Sequence, residues 1–173
     1  KKILKTDPDH ASAHNNLGLI FQAFGEFQKA RSCYEKAIKI QPNYANAYNN
    51  LGLVLKELGE RKKAISNYEK AIEINPNFAQ THNNLGLLFY GLRELQKAIS
   101  SYQKAIEIQP NFADAHNNLG VTFSELRESQ KAINCYEKAI EIQPNYAGAY
   151  LNLGNVLKEL GEYQKAKSFY QKA

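Results

Sequence analysis

Residues 45–78 read ANAYNNLGLVLKELGERKKAISNYEKAIEINPNF, and the same pattern recurs every 34 residues along the chain. A glycine marks the register in each copy: Gly18, Gly52, Gly86, Gly120 and Gly154. Prolines and alanines recur at the same interval. A period of this length indicates a stack of similar supersecondary units rather than one conventional core.

Numbering each block so that the recurrent glycine is position 8 divides the chain into repeats. Four complete repeats span 11–44, 45–78, 79–112 and 113–146. The tail of an earlier repeat occupies 1–10, and a fifth repeat, 147–173, stops at its position 27. We therefore expect residues 1–173 to form a single array. A chain that begins with Lys1 and contains no Met is expected to be a piece of a longer protein.

Each block reads as two amphipathic helices joined by a turn. In 79–112, apolar residues follow the spacing i, i+3, i+4, i+7 in both halves of the block. A glycine suited to a helix end follows the first half at Gly25, Gly59 and Gly161, whereas two repeats carry Arg93 and Arg127 there. Proline closes the second half, because it cannot continue the helical hydrogen-bond ladder. The sequence predicts an all-α fold of antiparallel helix pairs.

The block resembles the tetratricopeptide repeat family, whose signature has Leu-Gly at positions 7 and 8, alanines at 20 and 27, an aromatic residue at 24 and proline at 32. The second block matches it at Leu51, Gly52, Ala64, Tyr68, Ala71 and Pro76. The resemblance implies a right-handed superhelical solenoid. Its first helices would line a concave groove that binds an extended segment of another protein.

Groove positions in this family are 2, 5, 6, 9, 12 and 13, and the resemblance places pairs of asparagines there. The second asparagine of each pair, at position 6, is Asn16, Asn50, Asn84, Asn118 or Asn152. The first, at position 5, is Asn15, Asn49, Asn83 or Asn117, and Leu151 replaces it in the last block. Because an amide both donates and accepts, such a ladder suits the main chain of an extended peptide. It is similar to the asparagine ladder of the O-linked N-acetylglucosamine transferases. The alternative is that these amides only bridge neighbouring helices.

Two further groove positions add apolar surface. Position 9 carries Leu53, Leu87 and Val121, which are expected to form a floor for alternate side chains of the peptide. Tyr90 at position 12 adds an aromatic platform in the third repeat.

Charge argues against nucleic acid as the partner. The chain carries a net charge of +5, but its lysines concentrate on the second helices, where glutamates alternate with them. The groove positions lack the clustered Lys and Arg that phosphate binding needs. Chaperone-docking members hold a carboxylate with Lys or Arg at positions 2, 5 and 6, and here position 2 carries Ser12, Asn46, Gln80, Asp114 and Gly148. A free acidic C-terminus is therefore disfavoured as the ligand.

Catalysis, metal binding and cofactor binding have no support in the sequence. It contains no nucleophile–base set, no phosphate loop and no cluster of metal ligands. We therefore expect a non-enzymatic scaffold with no cofactor. The alternative is the substrate-docking arm of a larger enzyme, such as a glycosyltransferase, whose catalytic domain lies outside this sequence.

Location and self-association can be predicted only broadly. No run approaches the roughly 20 apolar residues that span a bilayer, so a membrane partner is not expected. The compartment stays open, with a soluble protein in the cytoplasm as the favoured case. The helices at 11–24 and 163–173 carry apolar faces that resemble surfaces packed inside the array. We expect these faces to stack molecules end to end.

Overall fold

The computed structural model describes residues 10–173, and this part of the chain forms ten α-helices and no strand. In chain order the helices are α1 (Ala11–Ala23), α2 (Phe27–Ile40), α3 (Ala45–Glu57), α4 (Arg61–Ile74), α5 (Ala79–Gly91), α6 (Leu95–Ile108), α7 (Ala113–Glu125), α8 (Ser129–Ile142), α9 (Ala147–Glu159) and α10 (Tyr163–Tyr170). The prediction of an all-α fold of helical hairpins is confirmed. Residues 1–9, which include most of the predicted tail of an earlier repeat, lie outside the described part.

The chain divides into two compact units, the first ending at Leu88 and the second beginning at Phe89. In the first unit α1 packs on α2 and α3 on α4, and in the second α7 packs on α8 and α9 on α10. Each of these pairs joins the two halves of one 34-residue block. The repeat is therefore a packing unit as well as a sequence unit.

The recurrent glycine of the first helix leaves room for a tyrosine side chain of the second helix. A Cβ atom on Gly52 would lie 2.6 Å from Cε1 of Tyr68, and one on Gly18 would lie 2.5 Å from Cε1 of Tyr34. Both tyrosines are fully buried. A methyl group at either glycine would force the ring out of its place, because packed interiors leave no room for added atoms.

The turns between paired helices have one conformation in all five repeats. Gly25, Gly59 and Gly161 have φ angles of 71°, 78° and 80°. Arg93 and Arg127 occupy the same left-handed region, with φ of 64° and 59°. For an L-residue with a Cβ atom this conformation costs roughly 1–2 kcal/mol. The arginine turns therefore have the same shape as the glycine turns and are strained.

A glutamate after each turn begins the second helix and pairs with the lysine three residues later. In the second repeat Glu60 also accepts a hydrogen bond from Nη1 of Arg31, at 2.8 Å, so the pair links the second repeat to the first. Lys63 and then Arg31 lower the pKa of the Glu60 carboxyl below its usual 4.5. These are surface interactions, and each contributes little to stability.

Exposed apolar residues occur at both ends that were expected to stack. Ile20 and Phe24 are 53% and 76% exposed, and Tyr163 is 68% exposed. In the other four repeats the residue equivalent to Ile20 is buried. End-to-end association stays a prediction.

Candidate functional site

The asparagine pairs lie on the first helices, and their two members differ sharply in exposure. The first asparagines are buried, with Asn15, Asn49, Asn83 and Asn117 between 3% and 8% exposed. Among the second asparagines, Asn16 is exposed and Asn50, Asn118 and Asn152 are half-buried, whereas Asn84 is 5% exposed. Neighbouring residues on a helix point about 100° apart. Only one member of each pair can therefore face the open side of the helix.

Within residues 10–88, the asparagines bond to one another between repeats. Nδ2 of Asn50 donates to Oδ1 of Asn15 at 3.0 Å, and Nδ2 of Asn84 donates to Oδ1 of Asn49 at 3.0 Å. The hydroxyl of Thr81 donates to the same Asn49 oxygen at 3.1 Å. Each bond joins the first asparagine of one repeat to the helix that begins the next. Bridging between neighbouring helices is thus observed for these asparagines, and it leaves the question of peptide binding open.

The same bond occurs in residues 89–173. Nδ2 of Asn152 donates to Oδ1 of Asn117 at 3.0 Å, again across 35 positions. Asn152 therefore has a fixed amide orientation while it remains half-buried. The sequence analysis did not predict this bond. The signal was present, because every asparagine at position 5 is followed by an asparagine at position 6 of the next block.

The apolar floor predicted at position 9 is accessible. Leu87 is 39% exposed, and Leu53 and Val121 are half-buried. Leu19, the equivalent residue of the first repeat, is 45% exposed. Water-exposed leucines at equivalent positions are available for contact with a ligand.

The second unit contains a cavity of about 750 Å³ that is lined by several of the residues predicted to bind a peptide. Its lining comprises Tyr90, Val121, Ser124, Glu125, Arg127, Ser129, Tyr136, Asn152, Asn155, Glu159 and Leu160. Three of these, Tyr90, Val121 and Asn152, were predicted to bind a peptide. The cavity combines amide, hydroxyl and apolar surface, which suits a polar chain with apolar side groups.

The charges at this cavity compensate one another. Arg93 forms an ion pair with Glu125, and this bond, followed by one from Tyr90, lowers the pKa of the Glu125 carboxyl. Burial, and then the bond to Glu125, raises the pKa of the Tyr90 hydroxyl. Glu125 is therefore ionised and neutralised by its partner at physiological pH. The mixed charge of the lining does not favour a polyanion.

The tyrosines of the second helices play a polar role that sequence reasoning overlooked. Their hydroxyls reach the first helix of the same repeat: Tyr34 donates to Oε1 of Gln22 at 2.8 Å, and Tyr170 donates to Oδ1 of Asn155 at 2.8 Å. Burial raises the pKa of the Tyr68 hydroxyl, so it stays protonated. That hydroxyl is shielded from solvent and has no hydrogen-bond partner within the described residues.

Two negative findings apply to residues 10–173. No group of three or more His, Cys, Asp or Glu side chains in this range could hold a metal ion. No helix in the same range combines the length and apolarity that crossing a membrane requires.

Models of the tetratricopeptide repeat match residues 9–77, 79–112, 113–146 and 135–168. The chain belongs to the tetratricopeptide repeat family. Its members generally act as non-catalytic scaffolds for protein–protein interaction, which the extended surface of stacked repeats favours.

Solved structures of the family resemble this chain closely. A crystal structure of MamA is 30% identical, with 90% of this chain and 91% of MamA covered and a TM-score of 0.79. The pilF protein of Pseudomonas aeruginosa is 25% identical, with 94% and 74% covered and a TM-score of 0.89. YrrB, described as a tetratricopeptide protein with an unusual peptide-binding site, is 22% identical, with 99% and 88% covered and a TM-score of 0.74. No curated protein sequence matches the chain.

Proposed function

We propose that this tetratricopeptide protein holds an extended segment of a partner protein against its first helices, through second asparagines that stay accessible, Asn50 and Asn152 above all; the buried Asn84 is not among them. The observation that carries the proposal is the state of Asn50 and Asn152. Each is half-buried, and each has its amide fixed by a hydrogen bond from Nδ2 to the preceding repeat. A fixed amide loses less entropy on binding than a mobile one.

The free groups of Asn50 match a peptide main chain. An asparagine amide has two N–H donors and two acceptor lone pairs on its oxygen. One donor of Asn50 is used by Asn15, and one lone pair accepts from Nδ2 of Asn49 at 3.3 Å. One donor and one lone pair remain. The N–H and C=O of one residue in an extended chain point to the same side, so a single amide can bond to both.

The surroundings of the amides support contacts with peptide side chains as well. Leu53 follows Asn50 by three positions on α3, and Asn155 follows Asn152 by three on α9, so each pair shares a helix face. In the second unit Val121 and Tyr90 line the same cavity as Asn152. Alternate side chains of an extended peptide would rest on these residues while its main chain meets the amides.

The test begins with a ligand selected from a random library. Immobilised protein would select 12-residue peptides displayed on phage, and the best binder would be synthesised and titrated by calorimetry. Changing Asn50 to Ala removes the two main-chain hydrogen bonds of one amide, worth about 0.5–1.5 kcal/mol each, so the affinity for a peptide bound in the first unit should fall roughly five- to 150-fold. Asn152→Ala should have the same effect on a peptide bound in the second unit. Lys104→Ala, on the exposed face of α6, is the matched control and should bind normally.

Two results would contradict the proposal. One is that the selection yields no peptide whose binding is competed by the same peptide free in solution, which would exclude peptide binding as the function. The other is that neither Asn50→Ala nor Asn152→Ala weakens binding of the selected peptide, which would assign binding to the apolar residues Leu53, Leu87 and Val121 instead.

A further inference from the structure

The hydrogen bonds of the asparagine pairs in residues 10–88 form one continuous, directional chain. Nε2 of Gln80 donates to Oδ1 of Asn84 at 3.1 Å, and Nδ2 of Asn84 donates to Oδ1 of Asn49 at 3.0 Å. Nδ2 of Asn49 then donates to Oδ1 of Asn50 at 3.3 Å, and Nδ2 of Asn50 donates to Oδ1 of Asn15 at 3.0 Å. We call these five residues the amide relay. Every link runs from an NH₂ group to the oxygen of the next amide.

The first asparagines in this relay are kept from a ligand by burial and by their internal hydrogen bonds. Oδ1 of Asn49 accepts from both Asn84 and Thr81, which fills its two lone pairs, and its Nδ2 donates to Asn50. Asn49 is also only 5% exposed, and Asn15 only 4%. A buried amide whose acceptors are filled cannot contact a peptide without breaking its internal bonds.

The second asparagines behave differently, because their orientation depends on the neighbouring repeat. Without Asn15, only the long bond from Nδ2 of Asn49, at 3.3 Å, would hold the Asn50 amide, whose last torsion angle has a broad energy profile. The bond to Asn15 selects the orientation in which Oδ1 of Asn50 lies toward Asn49. It therefore decides which donor and which lone pair are free.

We propose that Asn15 and Asn117 are positioning residues: each holds the second asparagine of the next repeat in its peptide-binding orientation without touching the peptide. The proposal rests on the proposed function, since it explains how the binding amides are oriented. It also assigns the two asparagines of a pair to different tasks. The first serves the following repeat and the second serves the ligand.

The experiment uses the full chain and the synthetic peptide selected from the random library. Asn15→Leu replaces the acceptor by the residue that the chain itself has at this position in the last repeat. Calorimetry should show a roughly two- to tenfold rise in Kd, the equivalent of one hydrogen bond. Adding Asn15→Leu to an Asn50→Ala variant should cause no further loss, because a positioning residue acts only through its partner.

A spectroscopic readout separates positioning from a general loss of stability. The side-chain NH₂ resonances of Asn50, assigned by their absence in Asn50→Ala, should shift and exchange faster with solvent in Asn15→Leu. The matched control is Thr122→Val, which removes another buried polar group of a first helix whose hydroxyl donates to the backbone oxygen of Asn118 at 2.9 Å. It should lower stability and leave the Kd unchanged.

The outcomes separate the two proposals. If Asn50→Ala weakens binding while folded Asn15→Leu binds normally, the positioning role is overturned and the proposed function stands. If Asn50→Ala itself binds normally, the assignment of Asn50 as a peptide contact fails, and the role of Asn15 fails with it. Should Asn15→Leu not fold, Asn117→Leu tested against Asn152→Ala decides by the same criteria, since that pair repeats the bond at 3.0 Å.

Discussion

Replacing Tyr68 by Phe should stabilise this protein, although the residue is fully buried and lies at the centre of its helix pair. The Tyr68 hydroxyl is shielded from water and has no hydrogen-bond partner among the described residues. A buried polar group without a partner costs about 1–3 kcal/mol. Removing the oxygen relieves that cost while the ring keeps its contact with Gly52.

The equivalent substitution in the first repeat should have the opposite sign, which makes it a matched control. Tyr34 is equally buried, but its hydroxyl donates to Oε1 of Gln22 at 2.8 Å. Tyr34→Phe loses that bond and should cost about 0.5–1.5 kcal/mol. Both changes remove one oxygen from the same packing environment, so the difference between them isolates the hydrogen bond.

The cause of the orphaned hydroxyl can be tested directly at position 12. Gln22 supplies the acceptor in the first repeat, whereas the second repeat has Lys56, an ammonium group that only donates. Lys56→Gln should therefore stabilise the protein by about 0.5–1.5 kcal/mol and have no such effect in a Tyr68→Phe background. The ion pair that it removes, with Glu57 at 3.0 Å, is exposed and contributes little.

Urea denaturation followed by circular dichroism would measure these changes as shifts of the midpoint at constant slope. In a chain of this size each kcal/mol also corresponds to roughly 2–4 °C in Tm. If Tyr68→Phe destabilises the protein as much as Tyr34→Phe does, then the Tyr68 hydroxyl has a partner in solution, and the reasoning from its burial is wrong.

Three other predictions concern the backbone and surface charge. Gly52→Ala should destabilise by about 1–3 kcal/mol, because its Cβ would lie 2.6 Å from a buried ring, whereas Gly91→Ala meets no atom within 4 Å and should be neutral or stabilising in urea titrations. Arg127→Gly should raise the denaturation midpoint, because glycine adopts the φ of 59° without the strain of about 1 kcal/mol that arginine carries there. A lowered midpoint would show that Arg127 is not strained. Glu60 has a lowered pKa, so its contribution is present above its ordinary pKa of 4.5 and disappears as pH falls through the lower folded value. Glu60→Gln should therefore melt below the native protein at pH 7 and together with it near pH 2, and a gap that persists in acid would exclude this ion pair as the cause.

The fold could be predicted from the sequence because it follows from local patterns. Spacing of apolar residues, a glycine after the first helix and a proline after the second are all properties of one 34-residue block, and each block repeats them. The two arginine turns show where this reasoning ends. Whether Arg93 adopts a left-handed conformation or a different turn depends on the helices on either side. The sequence around Arg93 does not favour one of these turns over the other.

The candidate site could be predicted only in part. The residues of the asparagine pairs were found, but positions 5 and 6 were treated as one surface. On a helix they point in different directions, and which one faces inward depends on the neighbouring repeat. Tyr68 illustrates the same limit, since its lack of an acceptor becomes visible only when the residue at position 12 of its own repeat is placed beside it.

The two interpretations of the asparagines, as bridges between helices and as peptide ligands, are compatible at the level of single atoms. Asn50 uses one donor and one lone pair inside the protein and keeps one of each. A bridge therefore does not exclude binding, and it even prepares the amide for it. One consequence is that an alanine substitution at Asn50 removes a ligand contact and an internal bond together. Only comparison with Asn15→Leu, which removes the internal bond alone, can separate their contributions to affinity.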